Sequence, residues 1–441
     1  MTSRPGMPGP GSGATEPVPV LWIDTSGLAR AESLFGLAPL ERLRRSIGKT
    51  AARVVISGPG AATANWPGAQ IDADAAPLVT RLKRALAKMP HLVAVDGATV
   101  IDPRLIQFLG KVEAPCVASR GEGVGRAVAM RLDASSQTHL PAHTFASAIS
   151  SDVVDAATSV AIPQDATDLA AVADALLVQG VIAPLDEHSF PAYIDKLRRS
   201  LPYWIYRVDD AASRRQLERK MFLDNYKGST DFLTSHVYPP LVWPAVRFCV
   251  RWRIHPNTVT VLSIILAFAA VPLFAGAHWV AGFVCAYVMS VLDSVDGKLA
   301  RLTLTDSAIG NVLDHGLDQV HPPFWYFAWA WGLGGRSWED PLYQAAVWLI
   351  VFYFADRIVL GIGRARMGHA LHASTPLDER VRSVIARRNI TMTIMALALL
   401  VGAGPAGFII VTAWQGLTFA WHAWRTLWLG FLSSAHRRRE A

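Results

Sequence analysis

Four aspartates at helical spacings are the residues of this 441-residue sequence most suited to chemistry. Asp293 and Asp296 are three positions apart, and Asp314 and Asp318 are four positions apart. On a helix, either spacing places both side chains on one face. If the two helices pack together, four carboxylates converge and repel one another, and a divalent cation relieves that repulsion. All-oxygen ligands favour magnesium, manganese or calcium over zinc, and four carboxylates are enough for two ions.

Small residues and an arginine accompany the aspartates. Gly297, Ala300 and Gly310 let helices approach closely and leave room for a planar ligand. Arg301 offers a planar fork of donors that suits phosphate. Carboxylates, a metal ion and an arginine at a membrane surface together indicate phosphate chemistry on or beside a lipid.

The elements that must position these residues are apolar helices. Half of the residues are hydrophobic and 17% are charged, against about 25% in an average soluble domain, and the mean hydropathy is +0.27. A span needs about 20 apolar residues. The sequence predicts six spans, at 257–275, 278–301, 306–333, 341–366, 388–403 and 406–430. The quoted aspartates then lie where the second span ends and the third begins.

Arginines orient the predicted spans. They gather in the loop 364–388 and in the terminal "HRRREA", whereas the loops near 276 and 404 have neither Lys nor Arg. By the positive-inside rule both termini are predicted to be cytoplasmic, in a membrane of the bacterial inner type. The net charge of +7 therefore fits membrane lipids or phosphorylated substrates better than nucleic acid. Three scattered cysteines favour neither a disulfide framework nor a zinc site.

The N-terminal half alternates short apolar runs with helical periodicity, which predicts an α/β domain with a largely parallel sheet. Strands are predicted at 19–24, 52–58, 91–97, 114–119 and 126–132, and helices at 166–179 and 189–200. The fold class is thus an N-terminal α/β domain followed by an all-α six-helix transmembrane domain. The predicted parts are a disordered lead (1–17), the cytoplasmic α/β domain (18–230), a linker with an interfacial helix (231–254), the six-span domain (255–432) and a basic tail (433–441).

A family resemblance is carried by the aspartate motif. "DSVDGKLAR" (293–301), eight residues and "GNVLDHGLD" (310–318) resemble the signature of the CDP-alcohol phosphatidyltransferase family, D-x2-D-G-x2-A-R-x8-G-x3-D-x3-D, at every fixed position. "HPNTVT" (255–260) resembles the beginning of the family's first span. The resemblance implies metal ligation by Asp293, Asp296 and Asp314, with Asp318 as general base and a second-metal ligand. It also implies contacts to the CMP part of the donor by Asn257, Thr260, Gly297, Ala300, Arg301 and Gly310.

The same resemblance implies the reaction. A CDP-alcohol binds with its diphosphate on Mg²⁺ or Mn²⁺, two ions per site, the hydroxyl of a lipid or polyol-phosphate acceptor attacks the β-phosphorus, and CMP leaves. An Arg-rich patch often holds an acceptor phosphate, for which the candidates here are Arg387, Arg388, Arg364 and Arg380. The resemblance also implies a homodimer. Asp306 and His315 lie outside the signature and stay unassigned.

The N-terminal half resembles sugar-phosphate nucleotidyltransferases in three pieces, "FGLAPLERLR", "VAVDGATVIDPR" and "YRVDDAASRRQLE". By position, Asp96 and Asp209 are the metal carboxylates. Two departures favour a degenerate structural or regulatory domain over an active cytidylyltransferase: the glycine-rich nucleotide loop lacks its lysine, and Arg207 replaces the first aspartate of a D-V-D motif. The fusion resembles bifunctional CDP-inositol-forming inositol-phosphate transferases. "KGSTDF" (227–232), "PLDER" (376–380) and "RRN" (387–389) suit that subfamily and imply a CDP-polyol donor.

Two other classes of function compete with the transferase. A cation transporter also uses intramembrane carboxylates, but it is expected to hold them near mid-membrane, whereas these aspartates lie at one end of two predicted spans. A non-catalytic regulator could bind a CDP-ligand on the same residues. Release of CMP from CDP-alcohols in the presence of magnesium separates the three.

Overall fold

The computed structural model describes residues 20–47, 53–120, 126–140, 166, 168–194, 197, 199–226, 231–306 and 308–440. Within this range, the side chains of residues 30, 120, 308–318 and 431–440 lie outside the description. The predicted lead (1–17) is also outside it. The chain divides into two compact units, which we call the N-terminal unit (1–192 and 201–218) and the membrane unit (193–200 and 219–441).

Eleven strands and fourteen α-helices are found in the described residues. The strands are β1 (Val20–Asp24), β2 (Arg53–Ser57), β3 (Gln70–Asp72), β4 (His91–Asp96), β5 (Thr99–Ile101), β6 (Cys116–Arg120), β7 (Ala127–Asp133), β8 (Ala183–Pro184), β9 (Tyr193–Ile194), β10 (Arg199–Ser200) and β11 (Ile205–Arg207). The helices are α1 (Pro39–Ile47), α2 (Leu78–Lys88), α3 (Pro103–Lys111), α4 (Ala134–Thr138), α5 (Leu169–Val178), α6 (Ala211–Asp224), α7 (Pro239–Arg251), α8 (Pro256–Ala275), α9 (Trp279–Thr303), α10 (Ala308–Gly332), α11 (Pro341–Met367), α12 (Pro376–Arg382), α13 (Arg388–Leu400) and α14 (Gly404–Glu440).

The N-terminal unit is built on a seven-stranded sheet with the order β3-β2-β1-β4-β7-β6-β8. Strands β1 to β4 are mutually parallel where they pair, as predicted, but β7 runs antiparallel to both of its neighbours. Only residues 121–126 join β6 to β7, and a parallel crossover needs a dozen residues or more. The sheet is therefore mixed. Apolar side chains of α2 and α5 cover one face of it, and those of α1 and α3 cover the other.

The sheet has a topological switch point between β1 and β4. From β1 the chain adds β2 and β3 on one side, and it then crosses to place β4 on the other side. In open α/β sheets, ligands bind outside the carboxyl ends of the strands at such a point. Asp24 ends β1 and Asp96 ends β4, and the two residues are paired in register.

The helix predicted at 189–200 is wrong. A 3₁₀ turn at Glu187–Ser189 is followed by β9 and β10, which pair antiparallel with Tyr193 opposite Ser200. Pro191 has no N–H to donate within a helix. The basic and apolar residues of "DKLRRS" imitate helical periodicity, and the local pattern cannot show that the segment folds back on itself.

In the membrane unit, α8, α9 and α11 are long and apolar enough to cross a membrane. The helices α10, α13 and α14 occupy the positions of the third, fifth and sixth predicted spans. With 13 residues, α13 is about 20 Å long, shorter than a hydrocarbon core of about 30 Å. The six-span arrangement therefore stays a prediction. The helix predicted near the membrane surface after residue 232 is present as α7.

Aromatic side chains form much of the core of the membrane unit. Phe274 is fully buried and packs edge-on against Trp325 and Trp329. The indole Nε1 of Trp325 donates to the backbone carbonyl of Ala267, at 2.7 Å. These contacts join α8 to α10, the helix that follows the aspartate-bearing end of α9. Helix α9 itself ends at Leu304, which adopts a left-handed conformation with φ of 53°.

Candidate active site

The site begins with Asp296 on the last turns of α9. The residue is 3% exposed, and its Oδ2 accepts a hydrogen bond from Thr260 Oγ1 of α8, at 2.6 Å. Its Oδ1 accepts from the backbone N–H of Gly297, also at 2.6 Å. Thr260, predicted from the resemblance to lie near the nucleotide, thus fixes the orientation of a predicted metal ligand. The second residue of α8, Asn257, is half-buried. Its backbone N–H donates a hydrogen bond to the imidazole Nδ1 of His255, the N-cap of the helix.

Asp293, one turn earlier on α9, is paired with an arginine. The Nη2 atom of Arg388 donates to its Oδ2 at 2.7 Å, and both side chains are mostly buried. Arg388 is the first residue of α13. The contact places a predicted acceptor-phosphate arginine directly beside a predicted metal ligand, on the same face of the unit.

A buried amide organises the residues behind that arginine. Asn389 Nδ2 donates to Asp231 Oδ1 at 3.2 Å and to Thr234 Oγ1 at 3.1 Å. Its Oδ1 accepts from Ser290 Oγ of α9, at 3.1 Å. Arg387 Nη1 lies 3.5 Å from Asp231 Oδ2. Burial acts to raise the pKa of Asp231, but the charge of Arg387 and the donated hydrogen bonds outweigh it and lower the pKa.

This network joins two of the quoted motifs, because Asp231 belongs to "KGSTDF" and Asn389 to "RRN". Residues 227–230 of the first motif lie outside the described residues. Both motifs indicate one subfamily, but the sequence alone predicted no role for Asp231 or Asn389. Their separation of 158 positions carried no signal of contact.

Arg301 and Lys298 lie on the same end of α9. Arg301 Nε donates to Asn225 Oδ1 at 3.1 Å. A Cβ on Gly297 would lie 3.4 Å from Nη1 of Arg301, an ordinary van der Waals contact, so the packing around Arg301 does not by itself require a glycine at this position. Lys298 is buried, and its ammonium lies 3.8 Å from the centre of the Tyr226 ring. Lys298 and Tyr226 were not singled out from the sequence.

Other predicted positions fall in less informative places. Ala300 is half-buried on α9. Gly310, Asp314 and Asp318 lie on α10, with the two aspartates one turn apart, but their side chains are outside the described residues. Arg364 and Arg380 are exposed, and the structure brings neither into an ion pair within the described part of the chain.

A buried ion pair connects α12, which lies in the segment between α11 and α13, to α14. Arg425 of α14 donates through Nε and Nη2 to the two oxygens of Asp378, each at 2.7 Å. Thr375, the N-cap of α12, donates to Asp378 Oδ2. Burial acts to raise the pKa of Asp378, but the hydrogen bonds and charge of Arg425 lower it overall. Asp378 is the aspartate of "PLDER".

In the N-terminal unit, one guanidinium holds both predicted metal carboxylates. Arg207 Nη1 donates to Asp96 Oδ2 at 2.6 Å, and Arg207 Nε donates to Asp209 Oδ2 at 2.9 Å. Burial raises the pKa of Asp96 to about 6, with Asp24 and Asp168 adding to the rise, although Arg207 acts against it. The side chain of Arg207 therefore lies where the predicted metal would have to bind.

A second buried arginine stabilises the other strand end at this switch point. Arg81 Nη2 donates to Asp24 Oδ1 at 2.8 Å and to Ser26 Oγ at 2.8 Å, and its Nη1 donates to Ser57 Oγ at 3.2 Å. Both partners of the ion pair are nearly inaccessible. The same turn contains Gly27, where a Cβ would lie 3.0 Å from Arg207 Nη2. The cluster is thus closely packed around its own arginines.

Residues 253–428, which include α8, α9 and the whole aspartate motif, match the family model described as CDP-alcohol phosphatidyltransferase. The C-terminal region belongs to the CDP-alcohol phosphatidyltransferase family. With its apolar helices, this region makes the chain an integral membrane protein. The match does not extend to the N-terminal unit, whose α/β fold is observed but whose relation to nucleotidyltransferases stays a prediction.

Two curated relatives resemble the chain over this region. An uncharacterized CDP-alcohol phosphatidyltransferase class-I family protein of Schizosaccharomyces pombe is 27% identical over 129 residues, covering 25% of this chain and 33% of that protein. Cholinephosphotransferase 1 of Rattus norvegicus is 27% identical over 139 residues, covering 29% of this chain and 34% of that protein. The chain thus spans about a third of the length of these relatives.

Two solved structures of Mycobacterium tuberculosis phosphatidylinositol phosphate synthase also resemble it. The structure with CDP-DAG bound is 18% identical, with a TM-score of 0.35, and the similarity covers 42% of this chain and 94% of that one. The structure in complex with manganese and citrate is 20% identical, with a TM-score of 0.35, and covers 42% and 88%.

The donor set of α9 is compatible with a hard divalent cation. Asp293 and Asp296 supply only oxygens and lie on one helical face, as the spacing predicts. Within the part of the chain whose side chains are described, no group of three or more His, Cys, Asp or Glu residues is arranged to hold a metal ion. The two aspartates of α10 that would complete the predicted set are outside that part.

Proposed function

We propose that the membrane unit transfers a phosphoalcohol or phosphatidyl group from a CDP-alcohol to an acceptor hydroxyl, with release of CMP, in phospholipid or polyol-phosphate synthesis. The observation that carries the proposal is the arrangement of the α9 aspartates. Asp296 is buried and oriented by Thr260, and Asp293 is paired with Arg388, within a region that matches the transferase family.

Asp293, Asp296, Asp314 and Asp318 would hold Mg²⁺ or Mn²⁺, two ions per site. When bound, the metal neutralises charge on the donor diphosphate and on the departing CMP. The buried hydrogen bond from Thr260 keeps Asp296 in one orientation, which a metal ligand requires. Arg301 has the planar fork of donors that suits the phosphate of the CMP portion, and Gly297, Ala300 and Gly310 are proposed to lie beside it.

The reaction itself is a displacement at the β-phosphorus. The acceptor oxygen forms a bond to that phosphorus, and the bond from the phosphorus to the oxygen of CMP breaks. Asp318 takes the proton of the acceptor hydroxyl. Arg388, held against Asp293, and Arg387, held near Asp231, are positioned to bind an acceptor phosphate, and the exposed Arg364 and Arg380 could extend the same basic surface.

The donor proposed is a CDP-polyol, since "KGSTDF" and "RRN" meet in one buried network. We further propose six spans with both termini on the cytoplasmic side of a bacterial-type inner membrane, and a homodimer. Helix α13, the proposed fifth span, begins at Arg388 with Arg387 as its N-cap. In this arrangement its first turn lies at the cytoplasmic surface.

For the N-terminal unit, we infer a nucleotidyltransferase-like domain that performs no metal-dependent transfer. The strand order and the position of Asp96 at the switch point support a ligand-binding ancestry. Arg207 supports the loss of metal, because a guanidinium on Asp96 and Asp209 supplies the positive charge that a metal would bring. The test is CTP-dependent release of pyrophosphate by the full chain with polyol phosphates. Sustained release would show an active cytidylyltransferase instead.

The transferase is tested by CMP release from a panel of CDP-alcohols, with the full chain in detergent and Mg²⁺. We expect release with at least one donor, loss of release on chelation, and loss in Asp318→Asn. Asp306→Asn is the matched control, since it makes the same change at an exposed aspartate outside the motif. A rate in Asp318→Asn equal to that of the control would refute the base assignment. Donor binding without any CMP release would favour the regulator.

A further inference from the structure

A cavity lies at the N-terminal ends of the central strands β1 and β4, whereas the switch point lies at their carboxyl ends. It has a volume of about 620 Å³, within the range of about 300–1,000 Å³ that is usual for small-molecule sites. Val20, Leu92 and Val93, from the starts of β1 and β4, form part of its wall. The same strands end at Asp24 and Asp96, and about 10 Å of strand separates the lining residue Val93 from Asp96.

The polar lining of the cavity is strongly basic. Arg53, Lys88, Lys111 and Arg131 line it, and Glu113 is its one acidic lining residue. Lys88 and Lys111 are the last residues of α2 and α3, where a cation also offsets the negative end of the helix dipole. That effect does not account for Arg53 and Arg131, since both lie on strands.

Arg131 is the most informative of these residues because it is buried. It is 8% exposed, and its Nε and Nη1 donate to the backbone carbonyls of Val112 and Leu132, both at 3.1 Å. Among the described residues, no carboxylate forms an ion pair with it. The charge of Asp133 interacts with Arg131 at longer range, and a bound anion would offset more of the cost of burying the guanidinium.

Arg53, at the start of β2, and Lys88, at the end of α2, complete the rim. Both are exposed, and Arg53 also bonds to the side chain of Gln70 on the neighbouring strand. A ligand that entered the cavity would meet the exposed Pro90 and the cations around it. This is the lining expected for an anionic group attached to a small organic body.

We propose that this cavity binds a phosphate-bearing ligand, with Arg131 at its base and Arg53, Lys88 and Lys111 at its rim. The phosphate belongs either to a soluble phosphomonoester or to the headgroup of an anionic lipid, which present the same group to the arginines. The proposal is independent of the transferase activity, because no residue of the aspartate motif lines the cavity.

The test uses the full chain in detergent micelles. Binding of glycerol 1-phosphate and inorganic phosphate is measured by calorimetry, and retention of phosphatidic acid against phosphatidylcholine is measured by native mass spectrometry. In the double variant Arg53→Gln, Lys88→Gln we expect affinity to fall by about tenfold or more, since charge-assisted hydrogen bonds are lost. Phosphomonoester binding identifies a soluble ligand, and selective retention of phosphatidic acid identifies a lipid.

The matched control is the double variant Arg45→Gln, Arg84→Gln. It removes two positive charges from the same unit at exposed residues that pair with Glu41 and Asp74 and do not line the cavity. Equal affinity in the two double variants would overturn the proposal, as would absence of binding by every probe. Binding elsewhere, as at the proposed active site, is expected to be unchanged in both variants.

Arg131 is tested separately, with folding monitored by the unfolding temperature. Arg131→Met is expected to abolish binding, and Arg131→Lys is expected to retain a part of it, because the charge is kept and the planar fork is lost. As a check of location, a bound ligand is expected to protect Lys88 from acetylation and to leave the exposed Lys220 unprotected. Equal labelling of Lys88 with and without ligand would place the binding site elsewhere.

Discussion

The switch-point cluster of the N-terminal unit and the aspartate face of the membrane unit are built from the same residue types and differ in the source of positive charge. At the switch point, Asp24 is paired with Arg81, and Asp96 with Arg207. On the aspartate face, Asp296 accepts hydrogen bonds from the hydroxyl of Thr260 and a backbone N–H, and Asp293 is paired with Arg388.

In the proposed function, this difference separates a structural use of carboxylates from a chemical one. Arg81 of α2 and Arg207 of β11 are held inside the fold against Asp24 and Asp96, so part of the negative charge at the switch point is balanced by the fold itself. On α9, the hydroxyl of Thr260 and the N–H of Gly297 are neutral donors that orient the Asp296 carboxylate by hydrogen bonds. We therefore expect a metal to bind at the aspartate face, and to bind at the switch point only when Arg207 is removed.

The largest expected effect is that of Asp296→Asn on CMP formation. An amide keeps the shape of the side chain and the hydrogen bond from Thr260, but it loses the charge that a metal needs. We expect the rate to fall by about 100-fold or more. Steady-state CMP release with saturating Mg²⁺ measures it, and Asp306→Asn is again the control. A loss of less than about threefold relative to that control would remove Asp296 from the metal site.

The next effect is on the stability of the N-terminal unit. Arg207→Met leaves Asp96 buried without its guanidinium, and we expect a loss of about 3 kcal/mol in the free energy of unfolding. Arg214→Met is the control, because the pair of Arg214 with Glu32 is more exposed and is worth under about 1 kcal/mol. Thermal and denaturant unfolding of the two variants are compared.

Arg207→Met also tests whether Arg207 is what prevents a metal from binding to Asp96 and Asp209. If the fixed arginine is what excludes a metal, the variant is expected to bind Mn²⁺ at the freed carboxylates, detected by the loss of its free electron paramagnetic resonance signal. The full chain binds Mn²⁺ at the proposed active site too, so the Arg207→Met change is made in the Asp296→Asn background. No gain in bound Mn²⁺ would show that Asp96 and Asp209 were not arranged for a metal.

The third prediction concerns a fixed ion pair inside the membrane unit itself. Arg425 lowers the pKa of Asp378, so the pair stabilises the fold above the ordinary aspartate pKa, about 3.9, and the stabilisation is lost as the pH falls through the lower folded value. Arg425→Met is expected to unfold at lower temperature near neutral pH and to lose this acid dependence. Arg380→Met, at an exposed position in the same segment, is the control.

The sequence was informative where a local spacing determines the geometry. The interval between Asp293 and Asp296 predicted one face of one helix, and α9 has both residues there. The departure at Arg207 was visible in the sequence, but its contact with Asp96 depends on the pairing of β5 with β11. No periodicity encodes that pairing. The same limit explains why the Asp231–Asn389 contact was missed and why residues 189–200 were mistaken for a helix.

The smallest effect expected is that of Thr260→Val. The side chain keeps its shape and loses only the hydroxyl that donates to Asp296 at 2.6 Å, and residues that orient a metal ligand are worth about 10–100-fold in metal affinity or activity. We expect about a tenfold rise in the Mg²⁺ concentration that gives half-maximal CMP release, with a smaller change in the rate at saturating Mg²⁺. Ser263→Ala, which removes a buried hydroxyl one turn further along α8, is the control. A fall in the saturated rate with unchanged Mg²⁺ dependence would assign Thr260 to the nucleotide instead, and the neutral donors would then not be what distinguishes the aspartate face from the switch point.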